Sequence, residues 1–329
     1  MKKKIVLIGG AGFIGHNLAI FLKNLGADVT IIDGLQVNHL GEHSKNKSTF
    51  YLPFLYSRLD ELQKAKIPLR VVDAREYNLL TSHINDIKPD IIIHLAAVAH
   101  AKKANKDPYS TIDHSMRTLE NALDISRGYK IHFIYFSSSM VYGQFNGLSV
   151  NEETLCNPLG IYGALKFSGE KLVIAYNQVF DLDYTIIRPS ALYGERCVSR
   201  RVTQIFLENA ILGNDLLIDG DGEDSLDFTY IDDLLQGVEK IINSKNSINQ
   251  TFNITYGKAS KINFLKDIIL EKYPKIKFNY QNRDKLIPER GTLDISKAKK
   301  LIDFSPNYDL KKGINKYLKW YENFEKFPK

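Results

Sequence analysis

A short run, Lys4-Ile5-Val6-Leu7-Ile8, is stopped by Gly9-Gly10-Ala11-Gly12-Phe13-Ile14-Gly15, and a helical pattern from Gly12 to Leu25 starts at once. A strand, a glycine turn and a helix start in that order constrain the chain more than any other feature. Glycines allow a tight turn and let backbone N–H groups reach a pyrophosphate, while the helix N-terminus favours its negative charge. Asp33 ends the next predicted strand, about 20 residues on, where a carboxylate can accept hydrogen bonds from an adenosine ribose. The same charge repels a 2′-phosphate and no arginine stands at positions 34 to 36, so NAD is favoured over NADP.

Short β-branched runs then alternate with longer helical patterns, which predicts βαβ units around a parallel sheet covered on both faces. The expected strands are Lys4 to Gly9, Val29 to Asp33, Leu69 to Asp73, Ile91 to Leu95, His132 to Ser137 and Tyr184 to Arg188. Helices are expected at Gly12 to Leu25, Tyr77 to Ile87, Tyr109 to Arg127 and Ile161 to Phe180. Gln36 to Lys66 is long for a connection and is read as a loop with a short helix of its own, near the cofactor or an interface. Beyond Pro189 the rhythm is less regular, with helices expected at Arg201 to Leu212, Ile231 to Asn243, Asn263 to Tyr273, Ser296 to Ile302 and Leu310 to Phe324. The expectation is an α/β doubly wound parallel sheet over residues 1–188, followed over 189–329 by a smaller C-terminal α/β substrate domain from which some segments return to the first.

Composition excludes several classes. An apolar fraction of 44% and a charged fraction of 25% belong to an ordinary globular protein. The net charge of +6 is scattered rather than gathered into a stripe, so nucleic-acid binding is not expected, whereas a modest positive field suits an anionic small substrate. Two cysteines, Cys156 and Cys197, make neither a disulfide framework nor a metal cluster, so no metal is expected and a reducing cytoplasmic location is. The apolar run after the N-terminal lysines is too short for a signal peptide, and nothing reaches the roughly twenty apolar residues of a membrane span.

Tyr162 and Lys166 lie four apart in a helical segment and so project from one face. A phenol with a pKa near 10 becomes a base at neutral pH only beside a cation, which Lys166 supplies. A shift of three units corresponds to roughly 4 kcal/mol, within reach of one close ammonium in a partly dry site. Ser137, Ser138 and Ser139 end a predicted strand, at the edge where ligands bind in such folds. Ser138 can there bond a reacting substrate oxygen and share its proton with Tyr162.

With these elements in order, the sequence resembles the extended short-chain dehydrogenase/reductase superfamily, in particular its NAD-dependent nucleotide-sugar epimerases and dehydratases, which have a Rossmann fold. The matching elements are Gly9 to Gly15, Asp33, Val72-Asp73, His94-Leu95-Ala96-Ala97, Ser137 to Gly143, Tyr162 to Lys166, Arg188-Pro189-Ser190, Leu192-Tyr193-Gly194 and Asp227 to Asp233. The resemblance implies that Gly9, Gly12, Phe13, Ile14, Gly15 and Asp33 hold NAD, with Asp73 and Ala74 at the adenine. It further implies that Leu95, Ala96, Ala97 and Ser137 line the dinucleotide and that Pro189 and Ser190 meet the carboxamide. Tyr162 would be the acid/base, Lys166 its electrostatic partner and ribose ligand, and Ser138 the proton relay.

Relatives that eliminate water carry Asp-Glu after the hydroxyl residue, whereas Ser139-Met140 stand here, so a 4,6-dehydratase is disfavoured. An epimerase passing through a transient keto sugar leads, with a sugar dehydrogenase or keto-sugar reductase as the alternative. A dinucleotide-sensing scaffold is the non-enzymatic reading. Ala191 replaces an Asn that grips the substrate diphosphate in many relatives, Leu226 replaces an Arg, and His114 stands for an Asn. Arg196, Arg200 and Arg201, or Arg283 and Arg290, are candidates to supply the phosphate contacts, with Arg200, Arg201 and Arg290 preferred, beside Ser138, Ser139 and Met140 at the sugar. Family analogy also suggests a homodimer packed through Tyr109 to Arg127 and Ile161 to Phe180.

Overall fold

The computed structural model describes residues 2–36, 51–98, 101–145, 147, 149–283 and 288–324. Seven strands, β1 (Lys4–Ile8), β2 (Asp28–Asp33), β3 (Leu69–Val71), β4 (Ile91–His94), β5 (His132–Phe136), β6 (Tyr184–Arg188) and β7 (Gln250–Asn253), form one sheet. Every pairing in it is parallel. The spatial order is β7-β6-β5-β4-β1-β2-β3, so the chain reverses its direction of travel between β1 and β4. At such a reversal the crossovers depart to opposite faces and leave a crevice at the carboxyl ends of the strands.

The sheet is apolar on both sides because both sides are covered. Ile5 and Leu7 of β1 join one core with Ile31 and Ile93, while Val6 and Ile8 join another with Ile32 and Ile92. Alternate residues along each strand thus feed opposite layers, as the period of two demands. The covering helices are α1 (Phe13–Asn24), α2 (Tyr51–Lys64), α3 (Tyr77–Ile87), α4 (Ala101–Lys106), α5 (Pro108–Ile112), α6 (Thr118–Ser126), α7 (Gly160–Phe180), α8 (Val202–Ile211), α9 (Ile231–Asn243), α10 (Ile262–Lys272), α11 (Ser296–Ile302) and α12 (Leu310–Asn323).

Three features depart from the sequence reading. Tyr109 to Arg127, expected as one helix, is α5 and α6 joined by a π-helical turn at Asp113–Arg117. The wider turn is braced where the Thr118 hydroxyl donates to the carbonyl of His114 at 2.8 Å. β7 was not anticipated, because Gln250, Thr251 and Asn253 break its apolar run; Phe252 alone of its four residues enters the core, and Asn253 is held by side-chain bonds. Within the 36–66 connection, α2 is a full 14-residue helix that packs Phe54 against Trp320, Tyr321 and Phe324, while residues 37–50 lie outside the described ones.

Outside the main sheet the chain builds short strand pairs: Leu216–Asp219 with Phe278–Gln281, both beyond β6, and Ser149–Val150, which precedes β6, with Thr292–Leu293. Buried Asp227 accepts from Thr255 Oγ1 at 3.0 Å, Gly257 N at 3.2 Å and Leu293 N at 3.1 Å. It thereby ties the segment carrying Arg290 to the rim of the sheet.

Candidate active site

The turn after β1 is closed by contacts that only glycine permits. Gly9 has φ +80°, and a Cβ there would meet Ala96 N at 2.5 Å; a Cβ on Gly15 would meet the Gly10 Cα at 2.4 Å. Gly12 differs, since its Cβ would find only the Gly9 carbonyl oxygen, at 3.5 Å. Space therefore lies open in front of Gly12, which precedes α1 without any side-chain cap on the helix N-terminus. Open space and uncapped N–H groups at a helix start suit a pyrophosphate. Asp33 Oδ2 accepts from Ala11 N at 2.9 Å and Oδ1 from Leu35 N at 2.7 Å. Burial pushes its pKa up against these two bonds, and the lone pairs left over suit ribose hydroxyls. The residues present therefore fit NAD.

Asp73 and Ala74 follow β3. Although partial burial opposes it, hydrogen bonds from Arg75 and from Gln36 hold the Asp73 carboxyl well below its usual range. Arg75 continues to Asp113 at 2.5 Å, so the rim beside Asp73 is an ionic cluster. His114 lies in the field of Arg75, Asp73 and Asp113, and burial followed by Arg75 lowers its pKa.

Tyr162 and Lys166 of α7 line one narrow cleft with Ala96, Ala97, Ser115, Tyr135 and Leu165. These residues belong to the segment after β4, to β5 and to the π-helical turn, so α7 meets the sheet on the β4 side of the reversal between β1 and β4. Lys166 is buried, donates from Nζ to the Phe136 carbonyl at 2.6 Å, and lies 5.1 Å from the Tyr135 ring centre. Burial pulls its pKa down to about 8 while the charge of Glu170 opposes the fall. Ser138 Oγ accepts from Met140 N at 3.2 Å, capping a 3₁₀ turn, Ser139–Tyr142. Ser139 N bonds the Pro189 carbonyl at 2.9 Å, joining the serine run to the Pro189-Ser190 segment. The Ser137 hydroxyl is turned inward to Glu170 Oε1 at 2.5 Å, not toward the crevice.

The arginines separate. Arg290 is half-buried; its Nη1 touches Met140 Sδ at 3.8 Å and its Nε has no partner among the described residues. Burial, then the charge of Arg201, lowers its pKa to about 10. Arg283 is paired with Asp224 at 2.8 Å, and Arg196 donates to Ser57 Oγ at 3.3 Å and faces Trp320. Arg200 is exposed at φ +49°, with its backbone N–H on Gln204. Arg290 is thus the one beside Met140, and the charges of Arg201, Asp224 and Arg283 all reach it. Ala191 sits at φ +37°, a conformation an Asn tolerates better than an Ala.

Sequence reasoning missed Ser115 and Glu170. Ser115 reaches the cleft only because the π-helical turn carries it there, and a local pattern does not show that turn. Glu170 stands one turn beyond Lys166, and that spacing was the available signal.

A doubly wound parallel sheet with a glycine cradle, an acidic second strand and a Tyr–Lys pair over the switch point defines a dinucleotide-dependent enzyme. The model of the NAD-dependent epimerase/dehydratase family matches residues 5–255, and the chain belongs to that family. A putative UDP-glucose 4-epimerase of Methanocaldococcus jannaschii is 32% identical over 97% of this chain and 98% of its own. A UDP-glucuronate 4-epimerase of Thermodesulfobacterium geofontis is 28% identical over 97% of each. The crystal structure of a UDP-glucuronic acid 4-epimerase of Bacillus cereus, in complex with UDP-glucuronic acid and NAD, superposes with a TM-score of 0.85 at 28% identity, covering 96% of this chain and 98% of that one. The chain is an NAD-dependent enzyme of the epimerase type.

Proposed function

We propose that the protein interconverts the C4 epimers of a UDP-sugar, with Tyr162 as acid/base, Lys166 as its cation and Ser138 as the relay to the reacting hydroxyl. The observation that carries this is the cleft in which Tyr162 and Lys166 stand against Ala96 and Ala97, beside the turn that fits NAD. NAD, when bound, accepts and returns a hydride. Tyr162 takes the hydroxyl proton as the C–O bond becomes a carbonyl and gives it back when the sugar has turned over. Lys166 spends one N–H on Phe136 and keeps two for the phenolate and the nicotinamide ribose. Ser138 accepts from Met140 N, which leaves its own proton free to point into the cleft.

Water elimination needs a further acid beside Ser138, and Ser139-Met140 supplies none. Arg290 and Arg201 receive the diphosphate, residues 189–329 apart from β7 make the sugar-nucleotide lobe, and Gly9, Gly12, Asp33 and Asp73 lie along NAD. A second copy of the chain covers Tyr109 and Ile112 of α5 and Val179 and Phe180 of α7, all exposed apolar side chains, to give a homodimer. Among the described residues no helix is long and apolar enough to cross a membrane, and both cysteines are free, which supports a cytoplasmic location.

The test is incubation of purified protein with UDP-glucose, UDP-glucuronate and UDP-N-acetylglucosamine, followed by proton NMR and by NADH absorbance. Conversion to the C4 epimer without net NADH is expected with one of them. Stoichiometric NADH with each active sugar would establish a dehydrogenase instead.

A further inference from the structure

Beneath Lys166 lies a cluster that the proposed chemistry does not use directly. Glu170, one helical turn further along α7, is buried to 2% exposure. Its carboxylate accepts from Ser137 Oγ at 2.5 Å, from Arg188 Nε at 2.9 Å and from Arg188 Nη2 at 2.7 Å. Arg188 is also buried; its Nη1 donates to Tyr142 Oη at 3.0 Å, and its guanidinium lies 4.8 Å from that ring centre. Ser137 is the residue between Phe136, whose carbonyl holds Lys166, and Ser138. Two buried cations and one buried carboxylate therefore share the space under the cleft.

We propose that Glu170 is a positioning residue of the catalytic site: held between Ser137 and Arg188 one helical turn from Lys166, its carboxylate keeps Lys166 an ammonium. The inference rests on the reading of Lys166 as the cation beside the Tyr162 phenolate. Removing the carboxylate takes away the charge that favours the Lys166 ammonium against burial, and the buried cation that can give up its proton then does so. A guanidinium does not, and a lysine readily does. Lys166 then becomes a neutral amine, and Tyr162 loses what makes it a base. Among the described residues no other group facing Lys166 can take over: His94 from β4 is neutral, the Tyr135 phenol from β5 is pushed well up by burial, and Tyr162 is the group being served. Tyr142, Glu152 and Cys156 lie toward Arg188, and burial raises all three.

The experiment is a pH profile of kcat and KM for the full-length enzyme with the UDP-sugar it epimerises. Glu170→Gln is expected to move the alkaline limb of kcat to lower pH by about two units, which lowers kcat at neutral pH about ten-fold, with KM for the sugar nucleotide nearly unchanged. Arg188→Met should move the limb to higher pH, and the double variant Glu170→Gln, Arg188→Met should bring it back toward the parent enzyme. A purely structural glutamate would give no such opposed shifts. If Glu170→Gln fails to fold, the upward shift in Arg188→Met still decides. An unmoved limb in Glu170→Gln or in Arg188→Met, or a double variant no nearer the parent than Glu170→Gln, overturns the inference. Lys166→Met and Tyr162→Phe run alongside. If either stays active, the reading of the site has failed; if both are inactive and the Glu170 series is flat, only the inference has.

Discussion

Arg188 and Arg290 are both withdrawn from solvent near the same cleft, yet their surroundings differ. Arg188 meets a carboxylate through two bonds, a phenol oxygen and an aromatic face. Arg290 meets a methionine sulfur, carries an unpartnered Nε and is repelled by Arg201. A paired buried guanidinium is complete within the protein, while an unpaired one holds a desolvation cost that an arriving anion relieves. The cluster under Lys166 is thus built to its final hydrogen-bond pattern, whereas the proposed diphosphate site at Arg290 is left for a ligand to complete. Binding energy released at Arg290 would then orient the sugar rather than rebuild the protein.

The largest effect tests the finished side. Tyr162→Phe removes one oxygen from a site whose other contacts remain, so kcat should fall on the order of a thousand-fold while NAD stays bound, as measured by equilibrium dialysis and by NMR of the sugar. Retention of most activity would show that the Tyr–Lys cleft is a binding wall and not the catalytic centre. On the unfinished side, Arg290→Leu should raise KM for the sugar nucleotide by about ten- to a hundred-fold, the worth of roughly 1.5–3 kcal/mol for a hydrogen bond to a charged group. Stability should hold or improve, because a partly desolvated cation has gone. A lower melting temperature with unchanged KM would mean that Arg290 is as complete in the free protein as Arg188, and the contrast would collapse.

How much of this could be read beforehand follows the same division. The strand, glycine turn and helix from Lys4 to Leu25 are legible because chain neighbours impose them, and so is the i, i+4 face of Tyr162 and Lys166. β7 was hidden because its polar residues are satisfied by partners far along the chain: Tyr142 donates to Asn253 Oδ1 at 2.7 Å across 111 positions. The π-helical turn that brings Ser115 to the cleft adds a residue to a turn that the 3.6 period would have closed. Among the five candidate arginines, only tertiary packing shows that Arg283 is paired and that the charge of Arg201 reaches Arg290.

Gly9 and Gly12 sharpen the comparison within one loop. Gly9→Ala forces a Cβ against Ala96 N from a left-handed backbone, and thermal unfolding should show a loss of about 1–3 kcal/mol. Gly12→Ala places its methyl in open space at an extended residue before α1, so stability should change by only tenths of a kcal/mol while NAD affinity falls. Equal losses of stability in the two variants would mean that the space before Gly12 belongs to the fold and not to a ligand.

The smallest effect concerns His94, buried at the carboxyl end of β4 and ringed by Phe133 and Tyr135. Burial first, and the Lys166 charge second, lower its pKa to about 3, against 6.5 for the unfolded chain. The folded state therefore binds the proton less well than the unfolded one. The stability His94 contributes is complete above pH 6.5 and is lost progressively as pH falls toward 3, by up to about 1.4 kcal/mol for each pH unit in that window. His132, lowered by burial to about 4, acts in the same direction. Asp227, which burial raises to about 7, opposes both, since its contribution is present at low pH and is lost as pH rises through 7. His94→Leu should therefore flatten, without abolishing, the fall in denaturant-measured stability between pH 6 and 4. The same change takes a neutral ring, not a charge, from beside Lys166, so the alkaline limb of kcat should stay where it is. A variant that keeps the full acid slope, or one that moves the limb, would mean that His94 is protonated in the folded protein and is part of the charge cluster after all.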